Sequence, residues 1–104
     1  MRTLKLKVEG QILSLDPSCD LYDLVPGSNS FIRLEFTFSS EWRSTAKVVG
    51  FYSKLGREYP PQPLRPDETC IVPIEALKRR EFKIKVIGQN GLVTNKIAIE
   101  QKGG

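Results

Sequence analysis

Phe31-Ile32-Arg33-Leu34-Glu35-Phe36-Thr37-Phe38-Ser39-Ser40-Glu41-Trp42 is the stretch that decides the fold. Ile32, Leu34, Phe36 and Phe38 take every second position, and Arg33, Glu35 and Thr37 fall between them. Successive side chains of a β-strand point to opposite faces, so this alternation predicts a strand with one buried and one wet face. Phe36, Phe38 and the single tryptophan, Trp42, offer the largest apolar area in the chain. The stretch therefore reads as a central strand, with Trp42 filling the core just beyond its end.

Outward from there the same period recurs. Leu4, Leu6 and Val8 alternate with Lys5 and Lys7, Glu9-Gly10 suits a tight turn, and Gln11 to Leu15 continues as a strand. Residues 1–15 thus read as an N-terminal hairpin. Asp16-Pro17-Ser18-Cys19-Asp20 is turn chemistry, and Leu21 to Val25 is too short to assign. Thr45 to Tyr52 is apolar at nearly every position, as expected of a strand covered on both faces. Arg57-Glu58-Tyr59 suits a short strand. Residues 60–67 hold four prolines, which lack a backbone donor, and are expected to form an exposed, extended loop.

Thr69 to Val72 is a further strand ended by Pro73, and Pro73 to Lys78 offers one helical turn, near 74–78. In Phe82-Lys83-Ile84-Lys85-Val86-Ile87-Gly88 the apolar residues 82, 84 and 86 face in and the lysines out. Asn90-Gly91 signals a hairpin, from which Leu92 to Ile99 returns with Ile97 and Ile99 inward. Residues 101–104 are expected to be a flexible tail. The sum is an all-β fold in one domain spanning 1–104: an immunoglobulin-like antiparallel β-sandwich of seven or eight short strands. The antibody-type cysteine and tryptophan spacing is absent, so the likeness to immunoglobulin domains is one of architecture.

Chemistry is notable for what is missing. The 104 residues include no histidine, which removes the commonest general base, the usual nucleophile triads and histidine metal sites. Two cysteines far apart, Cys19 and Cys70, do not make a structural zinc site, and two reduced thiols are favoured over a disulfide. Asp16, Asp20 and Asp23 are spaced as in a calcium loop but lack its remaining ligands, so an Asx-rich turn is preferred. No glycine-rich phosphate loop occurs. No catalytic residue, cofactor or metal is therefore assigned, and no apolar run approaches the roughly 20 residues of a membrane span.

The net charge is +4, and the surplus lies after residue 40. Lys78, Arg79, Arg80, Lys83 and Lys85 form the most basic stretch. Its functional reading is an anion-binding stripe with Tyr52 or Tyr59 as stacking platforms. The plainer reading is a solvated face whose lysines guard an edge, and it is the one favoured. Pro60, Pro61, Pro63, Leu64 and Arg65 form either a docking loop or a stiff connector.

Taken in order, Phe36 to Trp42, Lys47 to Phe51, Glu68 to Leu77, Phe82 to Gly88 and Thr94 to Ile99 form a series. Over residues 30–100 this series resembles a small β-sandwich domain of structural proteins in tailed bacteriophages and prophages of Gram-positive bacteria. Those proteins include baseplate or tail-fibre attachment domains, head fibres and capsid-decoration proteins. The resemblance implies a non-enzymatic virion module that contacts phage structural proteins of the capsid, tail or baseplate. It implies synthesis in the host cytoplasm and residence in the virion. The residues it carries over are core: Phe38, Trp42, Phe51, Cys70, Val72, Phe82 and Val86, beside Phe36, which the strand period already places in the core. Relatives turn tightly where residues 60–67 stand here, and they continue into a stalk where this sequence ends, so a decoration or adaptor protein is the expectation. A small cyclic homo-oligomer, a trimer for instance, would gain affinity by multivalency. The runner-up is a small basic β-barrel binding single-stranded nucleic acid. A carbohydrate-binding sandwich, which would need an exposed aromatic, stands behind it.

Overall fold

The computed structural model describes residues 2–16 and 32–100. Cys19, Asp20, Asp23, the 21–25 segment and the 101–104 tail lie outside the described residues. Among the described residues eight strands form a sandwich of two four-stranded sheets. The strands are β1 (Arg2–Glu9), β2 (Ile12–Leu15), β3 (Ile32–Phe38), β4 (Lys47–Ser53), β5 (Glu58–Pro63), β6 (Thr69–Ile71), β7 (Glu81–Gly88) and β8 (Ile97–Glu100). The first sheet runs β2-β1-β3-β6 and the second β5-β4-β7-β8. A short α-helical turn, α1 (Ile74–Leu77), follows Pro73, as its sequence predicts.

The alternation in β3 becomes alternating burial: Ile32, Leu34 and Phe36 are buried, and Phe38 packs against the core edge. Leu4, Leu6, Val8 and Leu13 join them from the hairpin, and Val49, Phe51, Phe82, Ile84, Val86 and Ile99 close from the second sheet. Cys70 and Val72 complete the same core. Cys70 carries no disulfide, and burial pushes its thiol up to about 12, so it is an inert core residue. One pairing departs from the antiparallel expectation. β1 and β3 run parallel, with Leu4 beside Leu34, Leu6 beside Phe36 and Val8 beside Phe38.

Trp42 ends a 3-10 turn (Ser40–Trp42) just past β3 and is fully buried. Its indole N–H donates to the Gly10 carbonyl at 2.7 Å, and its ring lies 5.4 Å from that of Phe38. Gly88 fits because nothing larger can: a Cβ there would lie 3.0 Å from Cζ3 of Trp42 and 2.6 Å from Oδ1 of Asn90.

The proline-rich stretch needs a correction. The short strand expected around Glu58 and Tyr59 is present, but it runs on through residues 60–63 of the expected 60–67 loop as strand β5, paired antiparallel with β4. The Leu64 N–H donates to the Lys47 carbonyl, which points odd-numbered residues of β4 at β5. With Val49 opposite Gln62 and Phe51 opposite Tyr59, Gln62 and Tyr59 bond to β4. A register shift between Val49 and Phe51 leaves Pro60 and Pro61 both turned outward, as Pro63 is by alternation. The missing donors thus fall on an edge that needs none, which is where strands tolerate proline. Leu64 packs against the core and Arg65 opens a turn closed by the Glu68 N–H on the Arg65 carbonyl.

The hairpin after β7 is also wider than Asn-Gly alone suggests. Gly91 takes the left-handed conformation, φ 95°, and Gly88 donates to the Leu92 carbonyl, so three residues form the loop.

Candidate functional site: the outer face of the second sheet

The register of the second sheet lines up Glu58, Tyr52, Lys83 and Ala98 in one row across its four strands, on the face turned away from the core. Lys85 stands opposite Gly50 in the next row. Tyr52 is 7% exposed although its face looks to solvent. Its ring lies along β4 over Gly50, where an added Cβ would meet the Tyr52 hydroxyl at 2.7 Å. Two ammonium groups cover it: Nζ of Lys96 lies 4.1 Å from the ring centroid and Nζ of Lys85 5.4 Å. Each gains from the negative face of the ring. Lys83 stands beside Tyr52 in direct cross-strand register. Among the described residues none of these lysines meets a carboxylate, whereas Lys7 on β1 of the other sheet pairs with Glu9 at 3.3 Å.

The predicted basic stripe therefore divides. Lys83 and Lys85 share this face, whereas Lys78, Arg79 and Arg80 lie in the link between α1 and β7. Arg79 and Arg80 line a cleft at the end of the sandwich, together with Arg57, Tyr59, Glu58, Glu75, Glu81 and Glu100. With Lys54, which also lines it, four basic groups face four carboxylates, so this end carries little net charge. The division has a plain cause: β7 begins at Glu81, and only from there does the strand period send alternate residues to one face.

Tyr59, the other expected platform, is opposite Phe51 and packs against the core. Neither tyrosine offers a free ring for a base to stack on. The proline edge, with Pro60, Pro61 and Pro63 exposed, borders the same sheet at β5. Lys96 and Gly50 escape sequence reasoning. Lys96 reaches Tyr52 because the returning chain gains one residue between the Ile87–Val93 bridge and the Ile84–Ile97 pair. The hairpin signal at Asn90-Gly91 indicates a return beside β7 but not that extra residue.

Among the described residues no cluster of metal-ligating side chains exists, and no helix is long and apolar enough to cross a membrane. Asp67 is held below the usual carboxylate range by the Thr69 hydroxyl, which donates to its Oδ1 at 2.7 Å; it is a solvent-exposed turn residue. Trp42 is fully buried, so the exposed tryptophan that a sugar-binding face would need is not supplied by it. The arrangement can attract and orient an anionic surface. No family model, curated protein or solved structure matches the chain.

Proposed function

We propose that the chain is a non-enzymatic structural module of a tailed-phage virion, a capsid-decoration or attachment protein of the head-fibre or baseplate-adaptor type. It acts through protein–protein contacts. The observation that carries this reading is the outer face of the second sheet, where Lys83, Lys85 and Lys96 surround a covered Tyr52 without carboxylate partners. Such a face recognises an acidic protein surface by charge and shape. It supplies no acid–base pair for chemistry. The resemblance of the ordered core motifs to phage β-sandwich domains is in keeping with this reading. Against single-stranded nucleic acid stands the lack, among the described residues, of a free aromatic on the basic face, since stacking is the main base-tolerant contact in such proteins.

The test is co-sedimentation of the purified protein with capsids, tails and baseplates of a tailed phage of Gram-positive bacteria that encodes it, with a mixed-sequence oligonucleotide in parallel. We expect saturable binding to one virion part and none to the oligonucleotide. Indifference to every virion part, with oligonucleotide binding that falls steeply with salt, would overturn the proposal.

A further inference from the structure

The four sheet edges are not alike. At β5 the outward positions after Glu58 are prolines, which have no donor to offer. At β2 the edge is taken by Asn95, which accepts the Leu13 N–H at 2.8 Å, donates its amide to the Leu13 carbonyl at 3.3 Å and sends its own N–H to Gln11. At β6 the outward residue Thr69 gives its N–H to Asp67 and accepts from Arg65. Each of these edges is thus blocked over part of its short length, with outward backbone left at Glu58 in β5 and Ile71 in β6.

β8 is different. The Gly88 N–H bonds to Leu92, and Val86 bonds through both its N–H and C=O to Thr94, so even-numbered residues of β7 point at the returning chain. Ile84 opposite Ile97 and Phe82 opposite Ile99 are then the hydrogen-bonded pairs. The backbone N–H and C=O of Ala98 consequently point away from β7. No described residue meets them.

The sequence of this edge, Lys96-Ile97-Ala98-Ile99-Glu100, complements itself when read antiparallel. We propose that β8 pairs with β8 of a second copy of this chain across a two-fold axis at Ala98, joining the two β5-β4-β7-β8 sheets into one. At the axis the two Ala98 residues exchange N–H···O=C bonds. Lys96, which lacks a carboxylate among the described residues, stands opposite Glu100 of the partner subunit on the outer face. Ile97, half-buried at the margin of the core, stands opposite Ile99 of the partner subunit on the inner face. Opposite charges and apolar residues directly across an antiparallel pair both stabilise it. The contact is isologous, so it closes as a dimer and cannot grow into a fibre. It is a two-fold assembly, in place of the trimer that the sequence suggests.

A strand of four residues buries less than the roughly 1,200–2,000 Å² of a tight complex. The dimer is therefore reversible, populated at high micromolar to millimolar concentration or where a lattice concentrates the chain. The inference goes beyond the virion reading and does not depend on it.

Sedimentation velocity from micromolar to millimolar concentration is the test. Wild type should shift from monomer to dimer. Ala98→Pro removes the outward donor without touching a bond to β7, and should weaken dimerisation about tenfold or more. Lys96→Glu and Glu100→Lys should each weaken it, and the double variant Lys96→Glu/Glu100→Lys should restore it. A monomer at millimolar concentration, a dimer unaffected by Ala98→Pro, or a double variant no better than the singles would overturn the proposal. Virion binding without dimerisation overturns this inference alone; dimerisation without virion binding overturns the attachment reading alone.

Discussion

Trp42→Ala lowers the stability of the domain by about 3–5 kcal/mol, the range for truncating a large buried aromatic. Three parts of the molecule lose their common contact at once. The indole fills the space between the end of β3, the β1–β2 turn and Gly88 at the end of β7. Its N–H also satisfies the Gly10 carbonyl at 2.7 Å. Small domains are stable by only about 5–15 kcal/mol, so this one side chain holds a large share of the margin. Trp42→Phe keeps most of the ring volume and loses the Gly10 bond, so its loss is smaller. Urea unfolding followed by circular dichroism reads both variants, since fluorescence disappears with the residue. A loss under about 1 kcal/mol for Trp42→Ala would mean that the indole does not join the two sheets.

Thr94→Val destabilises by about 1–3 kcal/mol although it conserves shape. Thr94 is buried where the returning chain leaves β7. Its Oγ1 accepts the Val86 N–H at 2.9 Å and its hydroxyl donates to the Asn95 carbonyl at 2.9 Å. Valine leaves the Val86 N–H unpaired beside a fully buried side chain. It also loosens Asn95, whose side chain ties this corner to Leu13 of the first sheet. Thr94→Ser retains the hydroxyl and should cost less. Hydrogen exchange at the Val86 amide is the direct readout: fast exchange in Thr94→Val and slow exchange in Thr94→Ser is the expected pattern. Equal protection in both would show that the side-chain bond is not what holds that amide.

These two residues mark the boundary of what sequence can disclose. Trp42 and the strand before it are legible because burial there follows a local period: Ile32, Leu34 and Phe36 alternate with polar neighbours, and Phe82, Ile84 and Val86 do the same in β7. The helical turn after Pro73 is local too. The parallel partnership of β1 with β3 is not, because Leu4, Leu6 and Val8 would alternate identically beside any neighbour. The prolines of β5 mislead for a related reason. Their cost depends on whether each nitrogen faces the sheet or the solvent, and a register shift decides that.

The candidate site divides in the same way. Lys83 and Lys85 share a face by strand period alone. Lys96 joins them only through the extra residue around Thr94 and Asn95, and Tyr52 lies flat only because Gly50 leaves room. Lys78, Arg79 and Arg80 are adjacent in sequence to this cluster but lie outside β7, because the strand starts after them.

The central claim is that the lysine face of the second sheet docks an acidic virion protein. The most direct measurement is co-sedimentation with the virion part that binds wild type, comparing wild type with Lys83→Glu/Lys85→Glu, a variant that leaves the Lys96–Glu100 edge untouched. With circular dichroism confirming the fold, we predict that wild type co-sediments, progressively less as salt rises, and that the double variant stays in the supernatant. Undiminished co-sedimentation of the folded double variant would contradict the claim.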